Sequence, residues 1–180
     1  MKPVILLLLL WICEIQSPLK TPGKTGFISG IVEFKIRNMG LSVNGSMSIS
    51  EIEFKQPSAD PTTWSLEGNA APGTILTGIE LRDKHLKKKD YFDIINYPTI
   101  ILQSTQIKTK GKSNYEGRFT LSVKGISKNV IIPFTILNKE NGINITAEFT
   151  INRLDYGLGE ESSILSDKVI IKVSAVFKAS

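Results

Sequence analysis

Cysteine is nearly absent from this chain of 180 residues, with Cys13 the only one. No cysteine follows it, so no intramolecular disulfide can form and stability must come from a hydrophobic core. Histidine is as scarce. His85 stands alone, and one histidine without a later cysteine is too small a ligand set for a zinc centre, so no metal site is expected. No serine lies in a G-x-S-x-G turn, which leaves nucleophilic catalysis with little support. The apolar run Val4 to Ile12 has nine residues, far short of the about twenty that a membrane-crossing helix needs. Clustered exposed aromatics interleaved with Lys and Arg are also missing, so no nucleic-acid partner is expected. There is no internal repeat and no low-complexity tract.

What is present begins with a leader. Lys2 supplies a minimal basic start, and Val4 to Ile12 has the length of the apolar stretch of a secretory signal. Residues 1–17 are therefore read as a signal peptide or lipoprotein leader and 18–180 as one domain, large enough for its own core. The expected setting is export to the periplasm. Cys13 follows the apolar run where a bacterial lipoprotein carries its lipidated cysteine, although Trp11 and Ile12 replace the usual small residues. Lipid anchoring through Cys13 and a chance cysteine in a leader both stand as readings. The net charge of +5 permits contact with acidic head groups, and peripheral membrane contact is an expected partner mode.

From Ile28 onward the pattern has period two. Val32, Phe34 and Ile36 share one face and Glu33, Lys35 and Arg37 the other, as in a half-buried strand. Leu41, Val43, Gly45, Met47 and Ile49 form a second strand after a break at Met39-Gly40, and Glu51 to Lys55 extends it past a bend. Trp64, Leu66 and Gly68 alternate until Pro72-Gly73 punctuates the chain. Thr99 to Ile107 is extended but has no clean apolar face. Gly117, Phe119, Leu121 and Val123 share a face, Gly125 to Asn129 reads as a turn, and Val130, Ile132, Phe134 and Ile136 alternate next. Asn141-Gly142 is a type I′ hairpin signal before Ile143, Ile145, Ala147, Phe149 and Ile151. Val169, Ile171, Val173, Ala175 and Phe177 close the chain. About eight strands in a meander favour an all-β, eight-stranded antiparallel barrel, because closure removes edges that long apolar strands would otherwise expose.

One segment departs from this pattern. Leu81 to Ser104 gathers Arg82, Asp83, His85, Lys84 and Lys87 to Lys89, followed by Tyr91, Phe92 and Tyr97. Pro98 ends any helix through Asp90 to Asn96, so a short helical insertion over about 79–97 should feed the next strand.

Four ordered blocks carry a resemblance. They are Phe34-x-Ile36 with Gly40 and Val43-x-Gly45; Thr77-Gly78 with Arg82-Asp83-x-His85-Leu86, Asp90-Tyr91-Phe92-Asp93 and Tyr97-Pro98; Gly117-x-Phe119-Thr120-Leu121 with Gly125-Ile126-Ser127-Lys128; and Arg153-x-Asp155-Tyr156-Gly157. In these blocks the chain resembles the YceI-like family of exported polyisoprenoid-binding proteins over nearly all of its mature length. The resemblance implies a lipocalin-like barrel whose pocket holds an isoprenoid lipid, of quinone or polyprenyl phosphate type, for sequestration or transport across the periplasm. It implies no catalysis and no cofactor beyond the lipid ligand. One departure is Asn38, where many members carry a histidine. This weakens the carry-over of a polar site at that barrel end.

The expected pocket lining is Phe34, Ile36, Gly117, Phe119, Leu121, Phe134 and Phe149, with Gly45, Gly68, Gly117 and Ala147 as small residues that either leave room for a ligand or let the barrel curve. Arg82, Asp83 and His85 are candidates for a head-group site or for a hydrogen-bonded cluster pinning the insertion to the rim. An isoprene unit has five carbons, and shielding one from water is worth on the order of 3 kcal/mol gross. Two other readings stand beside the carrier. One is a cell-envelope interaction or stress-response module with a filled barrel; the other is a hydrolase or isomerase using His85 with Asp83.

Overall fold

The stretches of alternating side chains become eight strands, each antiparallel to the next. A computed structural model describes residues 26–140 and 142–178; the expected leader with Cys13, and the Asn141 half of the expected hairpin signal, lie outside the described residues. The strands are β1 Phe27–Asn38, β2 Leu41–Lys55, β3 Ser65–Leu76, β4 Ile100–Thr109, β5 Asn114–Val123, β6 Ile126–Lys139, β7 Gly142–Asn152 and β8 Leu165–Lys178. β1 pairs with both β2 and β8, which closes the barrel expected from the sequence. A short helix, α1 Glu80–Leu86, lies between β3 and β4, and two 3-10 turns cover Pro61–Thr63 and Arg153–Tyr156.

Irregularities in the ladders explain where period two was hard to read. In β4 the pairing with β5 slips between Ser104 and Gln106, so Ile100, Leu102 and Ser104 point inward before the bulge and Ile107 after it. A bulge holds one residue out of the ladder and reverses the phase of all that follow. β2 slips likewise between Ile49 and Glu51 against β3, and its buried residues change phase from Met47 and Ile49 to Ile52 and Phe54. Pro72-Gly73 does not end β3. The strand continues to Leu76 through a wide irregularity, in which the Ser48 N–H donates to Thr74 Oγ1 at 2.9 Å in place of a ladder partner.

The tight turns also differ from expectation. Met39-Gly40 and Lys124-Gly125 each place both central residues at positive φ, between 50° and 79°, which is the type I′ geometry of a two-residue hairpin. Residues 126–129, read as turn, therefore already belong to β6. After α1 the segment from Lys88 to Asn96 is a series of turns rather than helix. Asp93 there adopts φ 46°, and its carboxylate accepts from Asn96 Nδ2 at 2.9 Å.

The two barrel ends differ. At the end holding both termini of the barrel, the rings of Phe27, Phe54, Trp64, Tyr115, Phe134 and Phe177 meet with centroids 5.2 to 6.3 Å apart and fill the lumen. Such stacked and edge-on pairs add to the stabilisation from burial itself. At the opposite end lie both type I′ turns, α1 and the β7–β8 connection. There β6 and β7 part, since their pairing runs only from Phe134↔Ala147 to Lys139↔Gly142. Tyr156 and Leu158 from the β7–β8 connection pack into that cleft with Leu121 and Val123.

Candidate functional site

Between the aromatic plug and the α1 end, the inward faces of the strands leave a cavity of about 400 Å³. Its wall is almost wholly hydrocarbon. Val32, Phe34 and Ile36 come from β1, Phe119 and Leu121 from β5, Ala147 and Phe149 from β7, and Ile171 and Val173 from β8. A space of this size is far too large for a packing defect and falls in the range of small-molecule sites.

Of the residues expected to line a pocket, Phe34, Ile36, Phe119, Leu121, Phe134 and Phe149 are in this wall, and Gly117 is not. A Cβ at Gly117 would overlap the ring of Phe119, two residues along the same strand. Gly45 is covered in the same way by the ring of Phe34, its cross-strand partner. These two glycines seat aromatic rings and do not enlarge the lumen, whereas Gly68 and Ala147 do face it.

Apart from Asn69 in the middle of β3, whose Oδ1 is buried without a hydrogen-bond partner among the described residues, the polar residues in the wall gather at the α1 end. Thr77 is their hub. Its N–H and hydroxyl both donate to Asp83 Oδ1, the first at 2.9 Å, and its hydroxyl accepts from Arg82 Nε at 2.7 Å. Arg82 NH2 donates to the Thr77 carbonyl at 2.8 Å. The helix has no side-chain cap at Ile79, and this knot ties its first turn to the end of β3 instead. Asp83 is buried and outside the wall, while Arg82 and Thr77 face the cavity. His85 also faces it but is exposed, and its ring lies edge-on to Tyr91 at 5.0 Å. No hydrogen bond joins His85 to Asp83 among the described residues, and Asp83 Oδ1 is already committed to Thr77. The same residues show no group of three His, Cys, Asp or Glu side chains placed to hold a metal ion.

Sequence reasoning did not single out Arg153 as a site residue. Only 2% exposed, it borders the cavity from the 3-10 turn after β7 and donates to the carbonyls of Ser166 at 3.1 Å and Leu158 at 2.9 Å. Its NH2 group pairs with Asp167 Oδ1 at 2.9 Å. Four donor contacts to fixed partners neutralise what would otherwise be a costly buried charge. The signal was present, since Arg153 opens the last of the four sequence blocks. Tyr91 and Phe92 of the insertion also reach the wall, whereas Tyr97 covers Gly125.

Exposed His85, with half-exposed Asn38, Val43, Thr77 and Leu165, marks where the cavity reaches the surface. The site is thus a blind tube, apolar in its depth except at Asn69 and polar at its mouth. A model of the YceI-like domain matches residues 29–177. The chain belongs to the YceI-like family.

Among curated relatives, a UPF0312 protein of Pseudomonas fluorescens is 29% identical over 156 residues, covering 79% of this chain and 78% of its own. Among solved structures, Burkholderia cenocepacia BcnA shares the fold with a TM-score of 0.76 at 22% identity, covering 84% of this chain and 96% of its own. A polyisoprenoid binding domain from Saccharophagus degradans, implicated in plant cell wall breakdown, matches with a TM-score of 0.66 at 11% identity. It covers 88% of this chain and 99% of its own. The barrel of this family member therefore has the same fold as a domain described as binding polyisoprenoid.

Proposed function

We propose that this YceI-like protein binds the hydrocarbon chain of an isoprenoid lipid, of quinone or polyprenyl phosphate type, inside the barrel, and that it sequesters or carries that lipid in the periplasm. The observation that carries the reading is the blind apolar cavity whose polar wall residues, Asn69 of β3 excepted, gather at one mouth. An amphiphile with a long tail and a compact head matches that gradient. The tail occupies the lumen lined by Val32, Phe34, Phe119, Leu121, Ala147, Phe149 and Val173, and the head lies beside Asn38, Thr77, Arg82 and His85. Arg82 is already held by Thr77, which fixes its orientation toward an incoming polar group.

Affinity should come mainly from the tail. Each five-carbon unit shielded from water contributes on the order of 3 kcal/mol gross, offset by the ordering of a flexible chain and by lost rigid-body freedom. Binding should therefore tighten with chain length and then level off when the lumen is full. Native mass spectrometry with prenylated quinones of increasing tail length tests this. A plateau supports the reading; affinity that is absent, or indifferent to tail length, removes it.

A further inference from the structure

The aromatic plug and the cavity have two rings in common. The series of touching rings that begins at Phe27 and Phe177 runs through Tyr115 to Phe134 and ends at Phe119, and only its last two members line the cavity. They form its floor. Phe134 is backed by the ring of Tyr115, stacked at 5.6 Å, and Phe119 meets Phe134 edge-on at 6.2 Å. Both are buried, so a tail that reaches them meets close-packed side chains.

Gly117 decides where the upper ring of this floor lies. β5 runs from the plug, at Tyr115, toward the α1 end, at Val123, so the ring of Phe119, folded back over Gly117, leans away from the mouth. A Cβ at position 117 would overlap Cε2 of Phe119 and stand 2.8 Å from its Cζ. There is no room to the side. Gly117 pairs with Ile107 on one strand and Ile132 on the other, and both are fully buried. Any side chain at 117 would therefore lift the ring into the lumen, the one direction that is empty. We propose that the Phe119 ring, seated on Gly117 and braced by Phe134, is the stop against which the far end of the tail rests, so that it sets the length of isoprenoid the barrel selects. Phe119 is then a specificity-determining residue, and Gly117, which adds no space of its own, positions it. That the tail is isoprenoid rests on the lipid-binding reading; the position of the stop rests on the packing.

Titration with two series of quinones, one with prenyl tails and one with straight alkyl tails of graded length, tests the inference. In the parent, affinity should rise with tail length and level off. Phe119→Ala removes six carbons, one more than an isoprene unit contains, so the levelling point should move out by about one unit. The next longer prenylated quinone should then bind about tenfold tighter than it binds the parent. Phe119→Leu removes three carbons and leaves less of a void, so it should fold readily and move the levelling point by about three carbons in the alkyl series. Gly117→Ala should move it the other way, inward by about one isoprene unit, and adding Phe119→Leu to Gly117→Ala should move it back out. Phe34→Leu takes the same three carbons from the wall near α1, and should lower affinity at every tail length without moving the levelling point. A levelling point that stays in place in the floor variants, or that moves the same way in Gly117→Ala and Phe119→Leu, overturns the inference and leaves the isoprenoid reading intact. Shifts of the expected signs in the alkyl series, with no binding of prenyl tails, uphold the stop and remove the isoprenoid reading. A parent protein that binds neither series overturns both.

Discussion

Replacing Ala147 with tryptophan should block the tube without unfolding the barrel. Ala147 sits on β7 between Phe134 of β6 and Val173 of β8, and Val173 in turn pairs with Val32, so on one side of Phe134 this row of the wall is alanine and two valines. An indole pointing inward adds nine ring atoms to a lumen of about 400 Å³ and excludes a comparable number of ligand atoms. At about 0.3 kcal/mol of net affinity per non-hydrogen atom, the loss is about 3 kcal/mol, or roughly a hundredfold in Kd. Titration with a prenylated quinone measures it, and thermal unfolding of the same sample shows whether the ring found space. An interior that is truly hollow should accept the indole with a stability change below about 1 kcal/mol, whereas a filled one should lose about 1–3 kcal/mol to overpacking. Gly117→Trp gives the contrast, because the ring of Phe119 already occupies that position and must be driven out. A folded Ala147→Trp protein that binds quinone as tightly as the parent would refute the assignment of the cavity.

Outcomes at five further positions follow from the packing. Arg153→Met should lower stability by about 2–3 kcal/mol in denaturant titrations, because the Leu158 and Ser166 carbonyls lose their donor. Arg153→Lys should not restore it, since one ammonium cannot reach partners spread around a planar fork. Gly125→Ala should cost at least about 1 kcal/mol, because φ is +76° and the new Cβ would come 2.7 Å from the Tyr97 ring; pairing it with Tyr97→Ala should recover the steric part only. Burial pushes the Tyr156 phenol above its ordinary value, with the Asp155 charge adding to the shift. The folded state therefore holds the neutral phenol while the unfolded chain ionises near pH 10. That contribution to stability is complete below pH 10 and lost as pH rises toward the folded value, so Tyr156→Phe should flatten the alkaline decline in unfolding midpoint. His85→Ala should leave the unfolding midpoint within about 0.5 kcal/mol of the parent, as expected for an exposed ring, while Asp83→Ala should loosen α1, seen as faster amide exchange over residues 77–86.

β7 was legible because it alternates between lumen and solvent, as do β8 from Val169 and β1 from Gly30, past the slip in its pairing between Phe27 and Ser29. β4 was not, because the bulge at Ser104 to Gln106 sums two opposite phases into no visible face. Proline and glycine at 72–73 read as a stop, yet a Thr74 hydroxyl supplies the missing backbone partner and the strand goes on. Turn chemistry misled in the same way. Met39 and Lys124 take positive φ without being asparagine or glycine, held there by the hairpins they close. In the cavity, inward aromatics were readable from alternation, but the fate of each glycine was not. Whether Gly117 opens space or seats a ring depends on the rotamer of Phe119, which spacing does not encode. Arg153 escaped notice as a wall residue because a 3-10 turn has no period that marks one side as buried.

The most direct test of the account is what the barrel holds when it comes out of cells. Protein purified without detergent from bacteria that make prenylated quinones and polyprenyl phosphates should, on denaturation in organic solvent, release one isoprenoid lipid class at near-stoichiometric yield by mass spectrometry, and the Ala147→Trp protein should release far less. Folded parent protein that yields no isoprenoid, and that takes up none when supplied, would contradict the claim that this cavity exists to hold a lipid tail.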